Sequence, residues 1–100
     1  MNILDDSTYV KTLQEATALW GLKFQREMVI EECAELILSL RHLERGRIDL
    51  GAVLVEAADV LITVSQLVND NGAAEFMTDA IDEKMERLAR RVASNDSELK

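Results

Sequence analysis

The sequence predicts an all-α fold: a four-helix bundle-like protomer that assembles into a symmetric homo-oligomer. Three observations lead there. Ala, Leu, Val, Ile and Glu dominate a 100-residue chain with no proline and only 4% aromatics, a mix that favours helix. Four glycines, at 21, 46, 51 and 72, divide the chain into segments of helical length. Within those segments the apolar residues recur at helical spacing.

The first helix is expected from about Ser7 to Trp20, with Asp5, Asp6 and Ser7 as candidate N-caps and Gly21 as its C-terminal stop. The second runs from about Lys23 to Arg45 and ends at Gly46; Met28, Val29, Leu36, Ile37, Leu40 and Leu43 give it an apolar face. The third begins near Asp49 or Leu50 and reaches about Asn69, ahead of Asp70-Asn71-Gly72. Its stripe is wide: Val53, Ala57, Val60, Leu61, Val64, Leu67 and Val68. The fourth spans about Ala73 to Ala93. Residues 94–100 read as a polar tail behind a single domain over 1–93. The connections are short, so neighbouring helices should run antiparallel. Val55 and Ile62 lie on a different side of the third helix from Val53, Val60 and Leu67, and a chain this short has too few neighbours to cover both sides. A stripe left over in this way predicts an obligate homodimer at least.

Composition bounds the function. No apolar run approaches about 18 residues without a charge, so no membrane span is expected. Met1-Asn2-Ile3-Leu4-Asp5-Asp6 lacks the basic and apolar regions of a signal peptide, and the lone Cys33 has no disulfide partner within the chain. A reducing, cytoplasmic setting is the expectation. Eleven basic against 19 acidic residues give a net charge of −8, which argues against general binding to nucleic-acid backbones. A small phosphate ligand stays possible, because a divalent cation reverses the local field.

The chemistry lies in two matched acidic pairs, Glu32 with Glu35 and Glu56 with Asp59, each at i, i+3 inside an otherwise apolar helical segment. That spacing puts both carboxylates of a pair on one helix face, one turn apart. Packing the two helices together would bring four carboxylates to one place. Two charges about 5 Å apart repel by roughly 3 kcal/mol at an effective dielectric of about 20. Solvated surface acids are the ordinary alternative. Against it, no basic residue stands four positions after Glu35, Glu56 or Asp59, where Ser39, Val60 and Thr63 are found. An all-carboxylate donor set suits Mg²⁺, with Mn²⁺ as the second choice. A di-iron bundle would need Glu-x-x-His pairs, yet the only histidine, His42, stands seven residues past Glu35 and reads as a surface or helix-end residue. Zinc would want His or Cys ligands, and Cys33 reads as a small core residue.

Glu31-Glu32-Cys33-Ala34-Glu35, followed after 20 intervening residues by Glu56-Ala57-Ala58-Asp59, resembles the all-α nucleoside triphosphate pyrophosphatases of the MazG-like superfamily. Trp20-Gly21-Leu22-Lys23-Phe24-Gln25 and Glu83-Lys84-Met85-Glu86-Arg87-Leu88 look like the flanks of its short single-domain members in phages and bacteria, so the likeness spans about residues 13–91. Some relatives carry Lys-x-x-x-Asn in the last helix; here Lys84 is followed by Leu88.

The resemblance implies Mg²⁺-dependent cleavage of a (deoxy)nucleoside triphosphate between the α- and β-phosphates. It also implies metal ligation by Glu32, Glu35, Glu56 and Asp59, a catalytic role for Glu31 at the attacking water, and assembly as a homodimer or a dimer of dimers with the sites near the subunit interfaces. Phosphoribosyl-ATP pyrophosphohydrolase is the nearest alternative activity; a non-catalytic, antitoxin-like helical protein is the alternative outside enzymes. Lys84 and Arg87, with Arg91 on the same face and Arg90 nearby, read either as a triphosphate clamp or as a surface paired through Glu83–Arg87 and Glu86–Arg90. Trp20 reads as a core plug or a base-stacking residue. Gln25 reads as a surface residue or a donor to a base edge, and Lys23 as a solvated lysine or a phosphate contact.

Overall fold

A computed structural model describes residues 6–94. The chain is all-helical there, with three helices and no strand among the described residues: α1 (Ser7–Glu44), α2 (Leu50–Asp70) and α3 (Ala74–Ala93). The tail expected over 94–100 lies, after Ser94, outside the described residues.

The expected count of four helices is corrected to three. The first two segments form one 38-residue element that bends at Gly21, the single residue inside it with non-helical angles (φ 86°, ψ 162°). A side chain is strained at that φ, and glycine is not. No loop residues follow Gly21, so the hydrogen-bonded ladder resumes at once and the break becomes a kink. The bend is sharp. A straight helix of this length would measure about 57 Å, whereas the whole molecule is 46 Å in its greatest dimension.

Side-chain pairing gives the directions. Before the kink, Leu13 meets Gln66 and Thr17 meets Asp70, so this arm runs alongside α2 in the parallel sense. Beyond it, Glu32 meets Asp59 and Glu35 meets Glu56, so the rest of α1 runs antiparallel to α2.

Local signals set the helix ends. Asp6 caps α1, its carboxylate accepting from the Thr8 and Tyr9 amides. Asp49 does the same for α2 through the Ala52 amide. α1 and α2 end alike. Gly46 (φ 70°) donates to the Leu43 carbonyl while Arg47 donates to His42, and Gly72 (φ 58°) donates to Asn69 while Ala73 donates to Val68. In each, a left-handed glycine satisfies carbonyls that the helix would otherwise strand.

α1 and α2 pack along much of their length; α3 barely touches either of them. The core is correspondingly small. Leu13, Val53 and Val68 are its buried apolar residues, and no residue of α3 is buried. A buried polar clasp holds the arm of α1 to α2. Gln66, 2% exposed, donates from Nε2 to the Leu13 carbonyl at 2.9 Å and to Asp70 at 2.8 Å, and contacts the Thr17 hydroxyl. Thr17 in turn donates to Asp70.

Outside this seam both helices carry bare apolar surface: Ile30, Ile37 and Leu38 on α1, and Leu54, Val55, Leu61 and Ile62 on α2. The radius of gyration is 16.3 Å, against about 13 Å for a compact domain of 100 residues. By length and composition α2 could cross a membrane, contrary to the expectation of no such helix. Glu56 and Asp59 interrupt it at mid-length and face α1.

Candidate metal centre

The two acidic pairs come together where α1 and α2 run antiparallel. Carboxylate oxygens of Glu32, Glu35 and Glu56 all lie within 4.8 Å of one another. Asp59 is at hydrogen-bonding distance of Glu32, and Glu35 of Glu56. The i, i+3 spacing aims each pair at the other helix, and the antiparallel register sets Glu32 opposite Asp59 and Glu35 opposite Glu56.

The site is half inside. Glu32, Glu56 and Asp59 are partly buried, and Glu35 is at the exposed rim. Glu32 Oε2 and Glu56 Oε2 are shut off from solvent without a hydrogen-bond partner. Burial, the charges of Glu35 and Asp59, a hydrogen bond shared with Asp59 and the charge of Glu56 hold the Glu32 carboxyl above the ordinary glutamate range. Burial comes first for Glu56 as well, followed by the charges of Glu35 and Asp59 and a hydrogen bond shared with Glu35. Both shifts report carboxylates crowded where negative charge is poorly solvated. Among the described residues no Lys, Arg or His nitrogen is within 4.0 Å of a cluster carboxylate; the one ion pair, Arg41 to Glu44 at 3.5 Å, is elsewhere and exposed.

The residues fit a hard divalent cation. Their donors are all carboxylate oxygens, two of them stranded lone-pair sites that a cation would satisfy. Glu31 is exposed beside the cluster. Cys33 and His42 are half-buried, so the core placement expected for Cys33 is only partly met.

The other candidates do not converge on one place. Trp20 is exposed, not a core plug; it stands at the kink with its ring centroid 6.0 Å from that of Phe24. Gln25 is not a surface residue. It is 7% exposed, and its Nε2 has no partner. It precedes Glu32 by seven residues, so it occupies the same face of α1 about 10 Å along the axis. Lys23 is exposed.

Lys84, Arg87, Leu88 and Arg91 line a shallow groove of about 180 Å³ on α3. The expected pairs Glu83–Arg87 and Glu86–Arg90 are not formed. The clasp of Thr17, Gln66 and Asp70 was not read from the sequence as a unit. Its one signal there is the glutamine on an otherwise apolar helix.

Compared with known proteins, the chain matches no family model, no curated sequence and no solved structure.

Proposed function

We propose that this chain is a Mg²⁺-dependent nucleotide pyrophosphohydrolase. It would cleave a (deoxy)nucleoside triphosphate between the α- and β-phosphates, as a cytoplasmic house-cleaning enzyme working as a symmetric homo-oligomer. One observation carries the reading: two i, i+3 carboxylate pairs meet across an antiparallel helix seam, with Glu32 Oε2 and Glu56 Oε2 buried and unpartnered. So costly an arrangement is hard to explain as surface charge.

Glu32, Glu35, Glu56 and Asp59 would hold the cation, with Mn²⁺ as a substitute. Bound there, it would neutralise phosphate charge and lower the pKa of a coordinated water. Glu31, exposed one residue before Glu32, would orient that water and accept its proton. Phosphoryl transfer asks a protein for positioning and charge stabilisation more than for covalent chemistry, and a carboxylate cage suits that demand. Gln25 Nε2, a buried donor without an acceptor, fits the edge of a base, and the exposed Trp20 fits stacking on its face. Lys23, Lys84 and Arg87 would supply positive charge to the polyphosphate.

The test is pyrophosphate release over a panel of nucleoside triphosphates with Mg²⁺. Glu32→Gln and Asp59→Asn should each lower turnover by at least about a hundredfold, the usual cost of one electrostatic contact in a transition state, while circular dichroism stays unchanged. Wild-type turnover in either variant, or no release from any nucleotide, refutes the proposal; the second outcome would leave a non-catalytic helical protein.

A further inference from the structure

The α1–α2 seam holds a second set of unsatisfied polar atoms, two turns from the acids and beside the kink. Glu32 faces Asp59 and Glu35 faces Glu56. Seven residues back along α1 and seven forward along α2 keep the same faces together, which sets Gln25 opposite Gln66. Both are buried. Gln66 Nε2 already donates to the Leu13 carbonyl and to Asp70 Oδ1, and the Thr17 hydroxyl donates to the same Asp70 oxygen. The atoms left over are unequal in kind. One donor group, Gln25 Nε2, is sealed from solvent without an acceptor. Against it stand three oxygens, Gln25 Oε1, Gln66 Oε1 and Asp70 Oδ2, that no donor among the described residues reaches. Thr17 and Asp70 are partly exposed, so the nest has an open side. Trp20, one turn after Thr17 on the same arm, is bare.

We propose that this nest of Gln25, Gln66 and Asp70 selects the base of the nucleotide, and that the base is guanine. The inference rests on the placement of a base at Gln25 and Trp20 proposed above and adds which base the nest accepts. The hydrogen-bonding edge of guanine offers one acceptor, O6, followed by two donors, N1–H and the 2-amino group. O6 accepts from Gln25 Nε2, while the two donors go to Gln66 Oε1 and Asp70 Oδ2, the carboxylate making the stronger bond. Cytosine, uracil and thymine present two acceptors and a single donor group, so one acceptor would face an oxygen and stay unpaired. Adenine presents one of each and leaves Asp70 without a donor. Turning the Gln25 amide over reorders its atoms but does not change the count, and the Leu13 carbonyl fixes the Gln66 amide.

Binding of nucleoside monophosphates in Mg²⁺ tests this, read by calorimetry and by the fluorescence of Trp20, the only tryptophan. GMP should bind at least about tenfold tighter than AMP, CMP or UMP and quench Trp20. Asp70→Asn keeps the Oδ1 acceptor that Gln66 and Thr17 use and turns only the free oxygen into a donor. It should weaken GMP and strengthen XMP, whose 2-carbonyl then accepts from the new amide; a residue that merely held the arm in place would gain no ligand. Equal affinity for the four monophosphates, tighter CMP or UMP, no binding of GMP, or a folded Asp70→Asn with an unchanged preference would each overturn the proposal. GMP binding without pyrophosphate release from any triphosphate refutes the hydrolase reading alone. Pyrophosphate release at one rate from all four triphosphates, with equal monophosphate affinities, refutes guanine selection alone.

Discussion

The α1–α2 layer and α3 are built from the same kinds of residue, yet only the first makes a structure of its own. α2 is apolar on most sides and finds α1 on one of them; Val53 and Val68 are buried, and Gln66 clasps the arm of α1 through Leu13, Thr17 and Asp70. α3 has the more sharply divided faces, apolar against charged, and buries nothing. It also begins without a side-chain cap, at Ala73. Amphipathic pattern therefore marks a helix that needs a partner without saying which. For α1 and α2 the partner is on the same chain and their polar groups close on each other; α3 leaves its apolar stripe and its cations unspent.

The sharpest way to break this contrast is to remove one side chain from each region. Leu13→Ala should destabilise the protein by about 2–5 kcal/mol through lost burial and a cavity, while Glu86→Ala, on the charged face of α3, should stay within about 0.5 kcal/mol. Urea unfolding followed by circular dichroism measures both, and equal costs would erase the distinction.

Cation binding should strengthen the α1–α2 seam in particular. At about 100 times its dissociation constant, Mg²⁺ stabilises by about 2.7 kcal/mol, which raises the melting temperature by several degrees in a domain of this size. Thermal melts in EDTA, in millimolar Mg²⁺ and in Na⁺ of matched ionic strength should separate the first two and leave the third near the first. Three superimposed curves would make the acids ordinary surface charge.

The clasp ranks next. Gln66→Met keeps the volume but removes the Nε2 donor from the Leu13 carbonyl and Asp70, leaving both to the Thr17 hydroxyl, so it should cost about 0.5–1.5 kcal/mol and speed hydrogen exchange in the arm before Gly21 more than near Glu56. Uniform acceleration along α1 and α2 would mean that the arm is not separately held.

The smallest effect is on pH. Glu32 and Glu56 have folded-state pKa values above the ordinary glutamate value, about 4.3. Between the two values the folded chain binds more protons than the unfolded one, so stability falls as pH rises through that window and returns on acidification. Metal-free protein should melt higher a little above pH 4.3 than at neutral pH. Saturating Mg²⁺ should flatten or invert the trend, because protons then compete with the cation. A metal-free protein that loses stability on the same mild acidification would contradict the crowding of these carboxylates.

The sequence by itself determined the helical character and which acids share a helix face, because both are local. Gly46 and Gly72 end α1 and α2 because left-handed glycine closes a helix with groups only a few residues away. Three of the four expected segment ends agree with the structure to within about a residue. The acidic pairs were legible because helical geometry alone aims residues at i and i+3 the same way. Gly21 marked a break in the sequence, but whether the break is a loop or a kink depends on the packing of both arms against α2.

What only the tertiary structure decided is long-range. It decided that Gln66 is buried against residues 49 and 53 positions away, that Gln25 is interior while Trp20 is exposed, and that α1 covers one side of α2 and leaves Val55 and Ile62 bare. The physical reason is that an apolar stripe measures how much surface a helix must bury, whereas the choice of what buries it is made by the relative placement of whole helices, which no single segment encodes.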